Sequence, residues 1–282
     1  MCGIVGIWSS KSHINYEILN DMSDLIYSRG PDGFGKWMDE YQQIAFAHRR
    51  LAILDLSDAG HQPMTSKCGN FVIAFNGEIY NHLELRDEIS NNCGEIIWNG
   101  HSDTETLLEC ISNWGFELTL SKLNGMFAFS LWDKRNEELY LVRDRLGEKP
   151  IYYGILNETF FFGSQLKSFE PHPDWCGEIS KEALELYMQY GYVPGPLSIF
   201  NDIYKLQPGH YIVIKDQGRV IDNPKPYWSV YRKQDKELET DLNFHESKLE
   251  ELLNDSVSKR MLSDVPVGAF LSGGIDSSVV TA

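Results

Sequence analysis

The chain has 282 residues, 42% of them hydrophobic, a formal net charge of −16 and an isoelectric point of about 4.9. Its length and apolar content allow one large domain or two domains of ordinary size. So acidic a surface would repel phosphate backbones and anionic lipid headgroups, which argues against nucleic acid and membranes as partners.

The cysteines and the hydropathy pattern exclude further classes of protein. The five cysteines are scattered and form no C-x-x-C pair, which argues against a disulfide framework and a zinc site. No apolar run approaches the ~20 residues that a membrane span requires, and no signal peptide precedes Cys2. A cytoplasmic protein is therefore expected. The cysteines other than Cys2 are expected in the core, where a free thiol packs as a small hydrophobe.

Short apolar strands and helices are interspersed over the first two-thirds of the chain. The pattern predicts strands in CGIVGIW, QIAFAHRRLAIL and GNFVIAFNGEIYN, and hairpins in GMFAFSLWDKRNEELYLVRD and PIYYGILNETFFFGS. Helices are predicted over 16–26, 83–91, 103–114 and 181–190. This mixture is typical of an α+β domain of stacked layers. Many strands are apolar on both faces, which indicates sheets that are covered on both sides.

The composition changes after about Gly209. The stretch 210–240 is polar and contains two prolines, which is typical of a linker or crossing arm. A helix is predicted over 243–262, and DVPVGAFLSGGIDSSVVTA then predicts a buried strand, a glycine turn and the start of a helix. A lone strand cannot bury itself, so this end is expected to be the truncated beginning of an α/β domain. The predicted organisation is 2–209, a linker over 210–240, and 241–282.

The turn in LSGGIDSS has the pattern of an anion site. Gly273 and Gly274 let the backbone approach a ligand, and the N–H groups at the start of a helix point toward it. It is not a Walker A loop, because no G-K-[ST] follows. A bare Ser-Gly-Gly would be an ordinary turn, but the full pattern resembles the pyrophosphate loop of ATP pyrophosphatases. The resemblance implies that Asp276 helps hold magnesium or pyrophosphate. It also implies that hydrogen bonds are donated by Ser272, Ser277 and Ser278.

Cys2 is the first candidate nucleophile. If Met1 is removed, its thiol lies beside a free α-amine, whose pKa of ~7.7–8.0 lets a useful fraction accept a proton at neutral pH. Nucleophile and base then belong to one residue. The alternative is a small apolar residue at the start of a strand.

Asn76 and Gly77 can supply an oxyanion hole. The Asn76 amide and the Gly77 N–H can both point at one developing negative oxygen at the end of a strand. Asn-Gly is also a strong signal for a hairpin turn, and for that dipeptide alone the turn is the favoured interpretation.

A free amino acid substrate such as glutamine is a zwitterion and needs a cation and an anion. Arg50 is suited to hold the α-carboxylate, with Arg49 as a rival that spacing does not exclude. Asp103 is suited to hold the α-amine. Alternatively, Ser102 or Asp103 caps the helix that follows.

Several motifs follow one another in a single order, namely MCGIVG, RGPD, HRRLAILDL, HQPM, NGEIYNH, GHSDTE, LNGMFAFSLWD, RDRLGEKPIYY and LSGGIDSS. In this order they resemble the glutamine-hydrolysing asparagine synthetases over essentially the whole chain. The resemblance implies the four-layer αββα sandwich of N-terminal nucleophile hydrolases, followed by the truncated beginning of an α/β ATP-pyrophosphatase domain. Enzymes that make glucosamine phosphate or phosphoribosylamine share the first domain, but LSGGIDSS favours the asparagine synthetases.

The resemblance also implies roles for particular residues. Cys2 forms a glutamyl thioester and releases ammonia, while Asn76 and Gly77 form the oxyanion hole. Arg50 holds the α-carboxylate of glutamine, and Asp103 holds its α-amine. The other implied pocket residues are Leu51, Ala52, Ile53 and Leu54 through their backbone, and Glu78 through its side chain. Where the family usually has Ser-Glu, this chain has Ser164-Gln165.

For the second domain, the resemblance implies that Leu271 and the loop after it contact ATP. Ammonia then passes through a tunnel to β-aspartyl-AMP, which gives asparagine, AMP and pyrophosphate. The implied partners are glutamine, ATP with magnesium near Asp276, aspartate, and a second copy of the chain in a homodimer; the glutaminase step needs no cofactor. Most of the ATP and aspartate site lies beyond Ala282 in the family, so glutamine hydrolysis is the expected activity of the chain as written.

Three alternatives stay open. One is a stand-alone glutaminase, or an amidotransferase for another carboxylate or a sugar. Another is a non-catalytic binding module of the same fold. The third is an N-terminal nucleophile hydrolase that cleaves another amide, although the pair of Arg50 and Asp103 favours a free amino acid.

Overall fold

A computed structural model describes residues 1–11, 13–41, 43–94, 96–230 and 241–282. Two antiparallel sheets dominate the described chain. The first has the spatial order β10-β8-β9-β1-β3-β2. Its strands are β1 (Gly3–Ser9), β2 (Gly33–Met38), β3 (Ile44–Arg50), β8 (Tyr152–Leu156), β9 (Thr159–Gly163) and β10 (Ile203–Lys205).

The second sheet has the order β12-β11-β7-β6-β5-β4, with β13 also paired to β11. Its strands are β4 (Met64–Thr65), β5 (Phe71–Ile79), β6 (Gly125–Asp133), β7 (Glu138–Arg143), β11 (His210–Lys215), β12 (Val220–Ile221) and β13 (Lys225–Pro226). Its strand pairs are antiparallel throughout, as in the first sheet.

The helices are α1 (Tyr16–Asp24), α2 (His82–Cys93), α3 (Asp103–Trp114), α4 (Phe116–Lys122), α5 (Lys181–Tyr190), α6 (Leu242–Arg260) and α7 (Ile275–Thr281). Side-chain oxygens at the N-caps of α1, α3, α5 and α6 accept hydrogen bonds from the first turn. No helix in the described ranges is both long and apolar enough to cross a bilayer.

Alternating side chains divide the apolar residues into three layers. Phe46 and Phe162 of the first sheet pack between the two sheets, against residues such as Ala74 of the second. Val5 and Ile7, on the opposite face of the first sheet, pack under α1. The outer face of the second sheet is covered by α2, α3 and α4. This arrangement is the predicted αββα sandwich, with both sheets covered on both faces.

The C-terminal part differs from its predicted form. The predicted linker begins with β11, which lies inside the second sheet, so that sheet continues past Gly209; residues 231–240 of the linker are outside the described chain. The predicted strand near 264–270 is wrong, because this segment is exposed and no described strand pairs with it. Phe270 is 100% exposed. An unpaired strand has nothing to satisfy its backbone or bury its side chains.

The cysteines also depart from expectation. All five are free thiols in the structure. Cys110 is buried as predicted, but Cys68, Cys93 and Cys176 are exposed, so their placement in the core is wrong. These three lie at or near the ends of elements or in loops, where no neighbouring layer covers them.

Candidate active site

Cys2 lies directly before β1, at one end of the sandwich. The register of β1 and β3 pairs Gly3 with Arg49, so the thiol lies beside the segment that follows β3. Its Sγ lies 3.4 Å from the Leu51 amide nitrogen and 3.5 Å from the Leu51 carbonyl oxygen. Burial raises the pKa of the thiol, although the Leu51 N–H acts in the opposite direction. With Met1 in place, burial lowers the pKa of the terminal amine, and the charges of Arg29 and Lys149 lower it further.

The RGPD motif holds the backbone around this thiol. Arg29 Nε donates to the Cys2 carbonyl oxygen over 2.8 Å. Asp32 Oδ2 accepts from the Ala52 N–H over 3.0 Å. The motif therefore connects the residue that carries the thiol with the segment that lines the pocket. The interacting residues are far apart in sequence, so spacing alone offers no signal of these contacts.

Asn76 and Gly77 lie inside β5 rather than in a turn. The hairpin interpretation of this dipeptide is therefore wrong, because β5 continues to Ile79 alongside β6. The Asn76 side chain is only 1% exposed, and neither its Oδ1 nor its Nδ2 has a hydrogen-bond partner in the described chain. A buried amide without partners costs about 1–3 kcal/mol, so its presence requires an explanation.

The direction of the Gly77 N–H follows from the pairing of β5 with β6. Phe127 lies opposite Gly77. Its N–H and C=O both bond to Asp144, on the side of β7. Gly77 and Phe127 therefore form a non-hydrogen-bonded pair, and the Gly77 N–H points away from β6. A Cβ at position 77 would collide with the Met126 carbonyl oxygen, so the close approach of β6 requires glycine.

Two side chains hold the neighbouring amides on the same edge of β5. The Phe75 N–H donates to Gln62 Oε1 over 2.7 Å, and the Ile79 N–H donates to Asp103 Oδ2 over 2.9 Å. The Gly77 N–H lies between these two and has no protein acceptor in the described chain. This edge of β5 thus presents two groups that have no hydrogen-bond partner in the described chain, the Gly77 N–H and the side-chain amide of Asn76.

Arg49 and Arg50 lie on opposite faces of β3, as adjacent strand residues must. Arg49 Nε donates to Ser23 Oγ over 2.9 Å, and its guanidinium also pairs with Asp24, at the end of α1. Arg50 instead lines the pocket with Cys2. Its guanidinium donates to the carbonyl oxygens of Leu54, Asp55 and Ser57. The structure thus brings Arg50, and not Arg49, to the pocket.

Ser102, and not Asp103, is the N-cap of α3. The Ser102 side chain accepts from the Glu105 N–H over 3.2 Å, which is the bond that the capping alternative requires. Asp103 instead turns toward β5 and the pocket, where it is 6% exposed. Burial raises the pKa of its carboxyl to about 6, even though the Ile79 N–H stabilises the charged form.

The predicted glutamine-site residues come together around one pocket with a volume of about 120 Å³. The ones that line it are Cys2, Arg50, Leu51, Ile53, Leu54, Asn76, Gly77, Glu78 and Asp103. Ala52 faces a neighbouring cleft instead. The charged and polar side chains of this lining suit a small polar ligand. Sequence reasoning missed the other lining residues, which are Met1, Gly60, Gln62, Phe75, Thr104, Met126 and Lys149.

The charges of the pocket have both signs. Burial raises the pKa of Glu78, and the positive charge of Lys149 opposes that rise. Burial lowers the pKa of Lys149, which is 5% exposed. Together with Arg50 and Asp103, these groups give the pocket two cationic and two anionic side chains.

The predicted phosphate loop is exposed. Gly273 has a φ of +79°, which favours glycine, and α7 begins directly after Gly274. Ser272 Oγ lies 3.0 Å from Ser277 Oγ, and Ser278 Oγ donates to the Gly274 carbonyl oxygen. Leu271 is exposed as well.

No group of three or more metal-ligating side chains occurs within the described residues. Asp276, the residue expected to lie near magnesium, is a single exposed carboxylate. Magnesium is usually held by one or two carboxylates together with water and the phosphates of a substrate, so Asp276 would hold this ion only beside a bound phosphate group.

A family model described as a glutamine amidotransferase domain matches residues 1–228. The chain belongs to this family. A second model, described as asparagine synthase, matches residues 248–282 of the amidotransferase chain. The curated relatives include "Asparagine synthetase [glutamine-hydrolyzing] 1" of Bacillus subtilis (strain 168), 37% identical over 286 residues that cover 100% of this chain and 43% of the relative.

Another relative, from Methanocaldococcus jannaschii, carries the name "Putative asparagine synthetase [glutamine-hydrolyzing] 2". It is 37% identical over 304 residues, which cover 99% of this chain and 56% of the relative. The chain thus spans about half the length of the curated relatives it matches. Among solved structures, glutamine phosphoribosylpyrophosphate amidotransferase from B. subtilis superimposes with a TM-score of 0.59. At 19% identity, covering 82% of this chain and 50% of that one, this similarity concerns the fold alone.

Proposed function

We propose that this amidotransferase chain hydrolyses glutamine to glutamate and ammonia, with Cys2 as the nucleophile. The observation that carries the proposal is the convergence, in one pocket, of the Cys2 thiol and the partnerless amide of Asn76. An orphaned donor beside a thiol is what a thiol-dependent amide hydrolase needs, because negative charge develops there only during the reaction.

The proposed reaction begins with removal of Met1, which frees the Cys2 α-amine. This amine takes the thiol proton, and the sulfur attacks the side-chain carbonyl carbon of glutamine. The carbonyl oxygen becomes an oxyanion that accepts hydrogen bonds from Asn76 Nδ2 and the Gly77 N–H. Collapse of this intermediate breaks the C–N bond, and the leaving nitrogen takes the proton back to depart as ammonia. Water then hydrolyses the thioester to glutamate and restores the thiol.

Recognition of glutamine is assigned to the charged groups of the pocket. Arg50 binds the α-carboxylate, and its bonds to backbone carbonyls hold the guanidinium in place beforehand. Asp103 binds the α-amine. Glu78 and the backbone of Leu51, Ile53 and Leu54 complete the pocket wall. Ala52 keeps only an indirect role, because it faces the neighbouring cleft.

For the whole protein, we propose that the ammonia is transferred to an aspartate adenylated by ATP, which gives asparagine, AMP and pyrophosphate. The match of residues 248–282 to asparagine synthase supports this acceptor. Residues 271–278 would contact ATP in that activity. We also propose that the whole protein forms a homodimer and lies in the cytoplasm. Another carboxylate or a sugar is the alternative acceptor of the ammonia.

Glutamate release tests the proposed hydrolysis. The chain with Cys2 at its amino terminus, shown by intact mass, is expected to release glutamate and ammonia from glutamine in equal amounts. Cys2→Ala is expected to lower this rate at least about a thousandfold while the melting temperature stays unchanged. Undiminished glutamate release by the folded Cys2→Ala chain would refute the assignment of the nucleophile.

A further inference from the structure

Asp264 follows α6, outside the sandwich, yet it contacts the wall of the pocket at several points. Its Oδ2 accepts from the Asp55 N–H over 2.7 Å and lies 2.6 Å from His101 Nε2. Its own N–H donates to the Ile53 carbonyl oxygen over 3.0 Å. The Oγ of the preceding residue, Ser263, lies 3.4 Å from that oxygen and donates to the Val265 carbonyl oxygen over 3.0 Å.

The contacted loop is centred on Asp55, a buried residue with several hydrogen bonds. Asp55 is fully buried and has a φ of +58°, a left-handed conformation that disfavours most side chains. Its carboxylate accepts from Ser57 and from the His101 N–H, and its carbonyl oxygen accepts from Arg50. Burial alone would raise the pKa of this carboxyl, but the bonds from Ser57 and His101 lower it instead.

The two residues that share Asp264 Oδ2 belong to two segments that carry pocket residues. Asp55 follows Ile53 and Leu54, and His101 lies two residues before Asp103; these three neighbours line the pocket. The two segments already meet directly, because the Asp55 carboxylate accepts from the His101 N–H over 2.9 Å. Asp264 Oδ2 adds a second link between them, from the Asp55 N–H to the His101 ring. The short His101 contact also lowers the pKa of the Asp264 carboxyl, which favours its charged form.

We propose that Asp264 is a positioning residue for glutamine binding. It holds the segment 51–55 and the segment before α3 at a fixed distance from each other. At this distance Arg50 can bind the α-carboxylate of an amino acid while Asp103 binds its α-amine. This inference rests on the proposed glutaminase activity. Asp264 touches neither substrate nor thiol in this arrangement, so its loss affects binding of glutamine more than the chemical step.

The kinetic test compares Asp264→Ala with a matched control, Asp255→Asn. Asp255 is an exposed carboxylate of α6 that pairs with Lys259. Asp264→Ala is expected to raise the KM for glutamine about tenfold, the loss of a hydrogen bond to a charged group, with kcat within about twofold of the parent. Asp264→Asn, which keeps an acceptor for the Asp55 N–H, should fall between the two. An unchanged KM in a folded Asp264→Ala chain, or an equal loss in kcat, would overturn the proposal.

A second readout does not depend on glutamine. Hydrogen exchange of a peptide covering 51–57, measured without substrate, reports directly on the Asp55 N–H. Asp264→Ala is expected to speed this exchange about tenfold, and Asp255→Asn is expected to leave it unchanged. Equal exchange in all three chains would refute the positioning role. If the parent chain releases no glutamate yet shows the difference in exchange, the proposed glutaminase activity fails and the structural link stands.

Discussion

The Asn76 side chain has two opposing effects, one on the stability of the fold and one on catalysis. Its buried amide lacks partners in the described chain, which costs stability, and the same amide is placed to stabilise an oxyanion. Asn76→Ala is therefore expected to lower kcat about 10²–10³-fold without lowering the melting temperature. Steady-state kinetics and thermal denaturation measure the two effects separately.

Ser130 supplies a matched control for that prediction. Its Oγ is also buried without a partner, and it lies in β6 without lining the pocket. Ser130→Ala should leave kcat unchanged. If Asn76→Ala were destabilising and active, the amide would have a structural role, and the oxyanion assignment would fail.

The raised pKa of the Asp103 carboxyl predicts that glutamine binding depends on pH. Its carboxyl has a pKa raised to about 6 by burial, so it is charged above that pH and neutral below it. Only the charged form attracts an ammonium group, so the KM for glutamine is expected to rise as the pH falls through about 6. Asp103→Asn should have a high KM at pH 8 and lose this rise. A pH profile that is identical in Asp103→Asn would assign the titration to another group.

Some of the pocket residues could be predicted from the sequence, and others could not. The resemblance to the family implied the set of pocket residues, and the structure brings all but Ala52 to the pocket. The choice between Arg49 and Arg50 could not follow from residue types, because it depends on which face of β3 meets α1. Gln62 and Lys149 were missed because their roles come from contacts between distant strands and loops.

At the scale of elements, Ser102 and Asp103 have separable roles. Ser102→Ala removes the N-cap of α3 and is expected to cost about 1 kcal/mol of unfolding free energy. For a chain of this size, that is a fall of about 2–4 °C in melting temperature. Its KM for glutamine should change much less than that of Asp103→Asn. The reverse pattern would mean that the carboxylate serves the helix and the hydroxyl serves the pocket.

Element boundaries were predictable where local chemistry marks both ends. The helices 103–114 and 181–190 begin after a capping serine and end before a glycine, and their observed bounds agree. The Asn-Gly dipeptide gave a wrong prediction of a hairpin turn. Its preference for a turn is local, whereas the pairing of β5 with β6 extends along the whole strand. The strand predicted near 264–270 failed for a related reason, since an apolar run forms a strand only where a partner strand exists.

At the scale of the whole molecule, the described chain has two parts with different protection. The sandwich has three apolar layers, whereas no residue of α6 or α7 is buried. Hydrogen exchange is therefore expected to be slow in β1, β5 and β6 and fast over 265–274. Strong protection of 265–274 in the isolated chain would contradict this account of its surroundings.

The proposed attack on glutamine requires a thiol with an unblocked neighbouring amine. A chain made with a cleavable leader before Cys2 shows whether this is so, when glutamate release is measured before and after cleavage with Cys2→Ser as a control. We expect negligible glutamate release with the leader attached, and glutaminase activity that rises together with the fraction of chains whose intact mass shows Cys2 as the first residue. Equal activity before and after cleavage would contradict it.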